Sequence, residues 1–170
     1  MRPRHAEAGM TLTEVTVVII LAAVLMTGIV TFYLNAQTMW LDGSSQAITQ
    51  REATLALRTI AKRARSGAAA YCAGDPRQNM RLDIFNDQPA DPESTFSFWL
   101  APDSLIHNGY AYSSDAARQD LGPMMQSRVV VFAAHKDNDQ VYVDTLDVLT
   151  PQGGHITMST SVTLMNRRGL

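Results

Sequence analysis

Cysteine is nearly missing from this sequence: Cys72 is the single one in 170 residues. That excludes an intrachain disulfide and any zinc site built from several thiolates, so the fold must be held by its apolar core. The lone thiol either bridges two chains or stays buried and inert, and nothing around it in the sequence decides between these. Charge is also scarce. Asp, Glu, Lys and Arg make up 18% of the chain and the formal net charge is -2, so no field draws it to DNA or to an acidic substrate. Catalytic signatures are absent too. Ser44-Ser45, Ser113-Ser114 and Ser159 to Ser161 lack a Gly-x-Ser-x-Gly context, and no glycine loop is patterned for a phosphate. His5, His107, His135 and His155 stand at no metal-ligand spacing from Cys or Glu. Asp137-Asn138-Asp139 resembles a fragment of a calcium loop, but it lacks the following glycine and the distant glutamate and reads as a tight hairpin turn. No enzyme activity, cofactor or metal is expected.

What the chain does have is one long apolar run. The mean hydropathy of -0.07 averages two unlike parts, because a very apolar stretch near the start offsets a polar remainder. The length suits one globular domain plus an extra element. Residues Met1 to Gly9 are polar, with Arg2, Arg4 and His5 opposed only by Glu7. From Val15 to Leu41 no residue is charged, and Val15 to Leu34 is close to the ~20 residues that cross ~30 Å of hydrocarbon as a helix. The basic flank places the N-terminus in the cytoplasm and the bulk of the chain outside it. Three readings account for the run: a plain membrane anchor, a secretory signal cut near Leu34-Asn35-Ala36, and a span retained for assembly. The first two leave Glu14 unexplained, since a carboxylate entering a spanning helix is costly and by default functional.

The residues Gly9-Met10-Thr11-Leu12-Thr13-Glu14-Val15, behind a basic leader, resemble the processing site of type IV pilins and type II secretion pseudopilins. The resemblance covers about the first 60 residues. It implies cleavage after Gly9 by a prepilin peptidase, N-methylation of Met10, and retention of Glu14 in the apolar helix. Met10 stands where the family most often has phenylalanine, and Glu7 is an acid inside the leader. Cleavage would create an ammonium on Met10 about one helical turn from Glu14. In a staggered bundle, Glu14 of one subunit would meet the ammonium of its neighbour, a charge pair that sets register because mispairing strands a bare charge in low dielectric.

Beyond Leu34 the period remains helical but becomes amphipathic. Ala53, Leu57, Ile60, Ala61, Ala64 and Ala68 form one stripe, suited to cover by a globular domain. Leu41, Ile48 and Leu55 recur every seven residues on roughly the opposite side and are assigned to contact with neighbouring helices, the alternative being isolated exposed apolar residues. Arg58, Lys62 and Arg65 share one side, with Arg63 alongside, and read as a solvated face, the alternatives being contact with acidic surfaces of adjacent subunits or with phospholipid headgroups. Thr27-Gly28 and Asp42-Gly43-Ser44-Ser45 are weak points where a bend or local melting is expected. Gly67-Ala68-Ala69-Ala70 and Gly74-Asp75-Pro76 close the helix.

After Pro76 the period is two. Strands are expected at Leu82 to Phe85, Thr95 to Leu100, Arg128 to Ala134, Gln140 to Leu149 and His155 to Met165, with a loop at Asp87 to Glu93 and turns at Lys136 to Asp139 and Pro151 to Gly154. Ala101 to Gln126 reads as irregular, with a short strand at Tyr110 to Tyr112. The expected fold is α+β: a leader (1–9), a transmembrane and assembly helix (10–34), its amphipathic continuation (35–68) and a head (69–170) built on a small antiparallel sheet.

Two functional expectations follow. The resemblance implies a structural subunit of a type IV pilus or a type II secretion pseudopilus. Its partners would be other pilin or pseudopilin subunits, prepilin peptidase, an inner-membrane assembly platform and membrane lipid. Without the C-terminal disulfide loop of compact major pilins, the likeness is to minor or tip subunits. The alternative is a single-pass inner-membrane protein with an extracytoplasmic binding head.

Overall fold

The computed structural model describes residues 10–86, 95–111 and 118–165. The expected leader, the Asp87 to Glu93 loop, Tyr112 and Ser113-Ser114 lie outside these. A single helix, α1 (Leu12–Ser66), is followed by eight strands: β1 (Ala69–Ala73), β2 (Arg81–Phe85), β3 (Thr95–Leu100), β4 (Ile106–Ala111), β5 (Arg118–Pro123), β6 (Val129–Asp137), β7 (Gln140–Leu149) and β8 (His155–Thr163). The chain divides into two compact units at Gly43/Ser44. The class is α+β, with an N-terminal helix whose later turns pack on antiparallel sheets.

In the second unit the strands form two antiparallel meanders where one sheet was expected. The first has the order β1-β2-β3-β4-β5 and the second β6-β7-β8. Two strands of the first sheet were not foreseen. The helix ends at Ser66 and the Ala-rich run after it becomes β1, although alanine favours helix. Gly67 explains the exit: a Cβ there would lie 2.5 Å from Ile84 Cγ2, so only glycine lets the chain pass this close to the sheet. Ala68 N–H then donates to Phe85 O at 2.7 Å and β1 pairs with β2, which satisfies the backbone better than another turn of helix. The polar β5 pairs with β4, with a register shift between His107 and Gly109. A side chain at Gly109 would collide with Gln119 O, and Trp99 lies over the same position.

The hydrophobic core lies between the helix residues Ala53, Ala56, Leu57, Ile60 and Ala64 and the inner faces of both sheets. In the first sheet, Leu82 pairs with Phe98 and Ile84 with Phe96, so alternate residues of β2 and β3 reach the core together. Phe96 packs edge-on to Phe98 and Tyr110 at 5.0 and 5.3 Å between ring centres. Arg63 lies over the Phe96 ring at 4.5 Å, so this member of the basic side caps an aromatic. From the second sheet come Phe132, Val141, Val143, Leu146 and Val148.

The turns match their residue types. The Asp137 to Gln140 hairpin places Asn138 at φ 50°, a left-handed conformation that asparagine tolerates. The Thr150 to Gly154 turn has Gly153 at φ 83° and is closed by a Gly154 N–H bond to Thr150 Oγ1 at 2.9 Å. The expectation of local melting at Thr27-Gly28 and at Asp42 to Ser45 is corrected, because both stretches are helical. Thr27 Oγ1 bonds back to Ala23 O at 2.9 Å, which occupies the hydroxyl that would otherwise compete for the backbone.

Candidate functional site

The sequence points first to the start of α1. Thr11 is the residue before the first helical one, and Glu14 stands in the first turn. Glu14 N–H donates to Thr11 Oγ1 at 3.3 Å, and Thr11 N–H donates to Glu14 Oε2 at 3.3 Å. This reciprocal pair is a capping box, and it satisfies two backbone donors that the helix leaves unbonded. The carboxylate also sits at the positive end of the helix dipole. Glu14 therefore has a local role that was not read from the sequence, although Thr11-Leu12-Thr13-Glu14 is the pattern that signals it. Gly9 lies outside the described residues, and Met10 is exposed.

From Val15 to Leu34 every residue is exposed, and the segment is long and apolar enough to cross a membrane. The threonine hydroxyls within it do not need water. Thr16 Oγ1 donates to Leu12 O at 2.9 Å, Thr27 Oγ1 to Ala23 O at 2.9 Å and Thr31 Oγ1 to Thr27 O at 2.8 Å. With the backbone bonded inside the helix as well, the stretch presents an almost wholly apolar surface that lipid or other apolar helices can cover, the Tyr33 hydroxyl at its far end being the polar group left for an interface. Of the residues assigned to helix packing, Leu57 and Ile60 lie in the core of the second unit, whereas Ile48 and Leu55 are exposed there. Leu41, in the first unit, is exposed as well.

The head contains polar constructions that sequence spacing did not suggest. Glu52 on α1 accepts bonds from Gln126 N–H at 3.2 Å, Ser127 N–H at 3.0 Å and Ser127 Oγ at 2.8 Å, tying the loop before β6 to the helix. Asp83 is fully buried, and its charge is met by Arg81 and by the Ser97 hydroxyl. His107 is held between two carboxylates, with Nδ1 2.8 Å from Asp120 and Nε2 2.9 Å from Asp103. Partial burial opposes a charge on this ring, but the bonds to Asp103 and Asp120 outweigh it, and the pKa stands above 6.5. Asp103 is lowered by its bond to His107 and by the Leu105 N–H. For Asp120 desolvation raises the pKa, yet the Gly122 N–H and His107 bring it below the ordinary value.

Cys72 is half-buried, and burial, reinforced by the charges of Asp83 and Asp144, pushes its thiol up to about 11. At neutral pH it is a protonated, weakly nucleophilic group. Among the described residues, no group of three His, Cys, Asp or Glu side chains is placed to hold a metal ion.

No family model, curated protein or solved structure matches the chain.

Proposed function

We propose that the chain is a filament subunit of the type IV pilin and type II secretion pseudopilin kind, processed after Gly9 and assembled through its N-terminal helix. The observation that carries this reading is a helical segment, Val15 to Leu34, exposed all round, uncharged and internally bonded, with one carboxylate, Glu14, at its head. A plain anchor needs the apolar length and uses the acid at its entrance only as a helix cap. A bundle of such helices can use that acid against the ammonium that cleavage creates on Met10.

In this reading the precursor sits in the inner membrane with Arg2 and Arg4 inside and the head outside, and prepilin peptidase and the assembly platform act on it in turn. Leu41, Ile48 and Leu55 are assigned to neighbouring subunits, and the strand-rich head without a disulfide loop favours a minor or tip position.

Mass spectrometry of the protein isolated from its native membrane tests the proposal. The expected N-terminus is a methylated Met10, and Gly9→Val should leave the precursor uncut. An intact Met1 would leave a single-pass protein with a binding head. Loss of everything up to about Ala36 would mean an exported soluble domain.

A further inference from the structure

Among the described residues, the β6-β7-β8 sheet ends in an uncovered strand edge. The other edge strand of its sheet, β6, is tied to the rest of the head: Val129 N–H donates to Ser104 O at 2.7 Å and Phe132 N–H to Pro76 O at 2.8 Å. On the far side, β8 pairs only with β7, and among the described residues no backbone group from Ile156 to Thr163 bonds elsewhere. The strand is nine residues long and contains no proline, glycine, lysine, arginine or carboxylate. The irregularity in its pairing falls on β7, between Val143 and Leu146, so β8 itself is regular. Natural edges are usually short, bulged, charged or interrupted by proline, because a regular row of free N–H and C=O groups is a template for another strand. This edge uses none of those defences.

Alongside it, α1 and β8 enclose an open groove lined by Leu57, Arg58, Ala61, Arg65, Met158 and Thr160. Leu57, Ala61 and Met158 make its floor largely apolar, with hydroxyls of Thr54, Ser159 and Thr160 among them, and its helix side carries two exposed arginines. No carboxylate lines it, and neither Arg58 nor Arg65 forms an ion pair among the described residues.

We propose that β8 and this groove receive an extended acidic segment of another protein, added as a fourth strand to the β6-β7-β8 sheet with carboxylates directed at Arg58 and Arg65. Backbone pairing would supply affinity, and the arginines would select the partner. A second copy of this chain fits less well, because the stretch His155 to Met165 has no acid to offer and would bring a second set of arginines to the contact. An anionic lipid surface would neutralise the arginines but leave the row of backbone groups to water. The inference concerns the head alone and does not depend on processing at Gly9.

Full-length protein in neutral detergent, titrated with fluorescent eight-residue peptides, tests it. An alternating Glu/Val peptide should bind, with affinity falling as salt rises, and its Lys/Val counterpart should not. N-methylation of alternate peptide amides, in one of the two phasings, should abolish binding by blocking the strand pairing. Arg58→Glu with Arg65→Glu should weaken binding about tenfold or more while leaving the thermal midpoint unchanged. The proposal is overturned if neither peptide binds, if both N-methylated peptides bind as well as the parent, or if the protein self-associates through β8 and excludes the peptide. Equal displacement by anionic bicelles would overturn it in favour of lipid.

Discussion

Glu14 caps its own helix in the structure, and the proposed assembly gives it a second role that substitution can separate from the first. As the third residue of the helix, closing a capping box with Thr11, it bonds its own helix end, and as an ion it would meet the Met10 ammonium of a neighbouring subunit. Glu14→Gln retains the first role, since glutamine serves in a capping box, and removes the second. Thr11→Ala does the reverse, and Glu14→Ala removes both. The two capping bonds are long, at 3.3 Å, and exposed, so losing the cap costs about 0.5 kcal/mol, at the low end of the usual range, and frays only the first turn of α1. Two opposite unit charges about 4 Å apart at an effective dielectric near 20 attract by about 4 kcal/mol, roughly a thousandfold in a docking equilibrium. Glu14→Gln should therefore insert, be cut after Gly9 and fail to co-purify with its partner subunits, whereas Thr11→Ala should assemble nearly as wild type. The assay is quantitative recovery of each processed variant in cross-linked filaments or subunit complexes. Normal recovery of Glu14→Gln together with a defect in Thr11→Ala would refute the charge-pair reasoning and leave Glu14 as a helix cap.

Two further tests address the head. Ile60 is buried between α1 and the sheets while Ile48 is exposed, so Ile60→Ala should lower unfolding stability in urea by about 2 to 5 kcal/mol and Ile48→Ala by less than about 0.5. The His107 clasp should make stability depend on pH. Folding raises the His107 pKa, so its contribution is fully present below about pH 6.5 and is lost as pH rises through the higher folded value. Folding lowers Asp103 and Asp120, so theirs is present above 3.8 and lost as pH falls. His107→Asn should flatten the alkaline decline seen in thermal melts, by about 1 kcal/mol or less because both aspartates are half exposed. An unchanged pH profile in that variant would show that the clasp carries no net stability.

How much was legible in the sequence depended on whether the deciding interaction was local. The apolar run, the Ala53 to Ala64 stripe, β3 and β7 follow from periods of 3.6 and two, because burial of one face imposes its spacing on the residues that form it. The capping box is equally local, since Thr11-Leu12-Thr13-Glu14 carries its spacing, but the same carboxylate also has a charge that the spacing does not assign to a partner. β1 and β5 were hidden for a different reason. Ala69 to Ala73 has the composition of a helix and Arg118 to Pro123 that of a loop, and each becomes a strand only because a neighbour presents unpaired backbone.

Sequence alone therefore determined the elements whose own residues carry the signal: an uncharged segment able to span a membrane, an acid at its head, and an α+β order of a helix followed by strands. Only tertiary structure decided the division into two sheets, the seating of Arg63 over Phe96, the placement of Asp103 and Asp120 on either side of His107, and the position of β8 at a sheet edge beside Arg58 and Arg65. Each of those joins residues far apart in the chain or on different elements, and no periodicity in one segment encodes which distant backbone or charge will come to lie beside it.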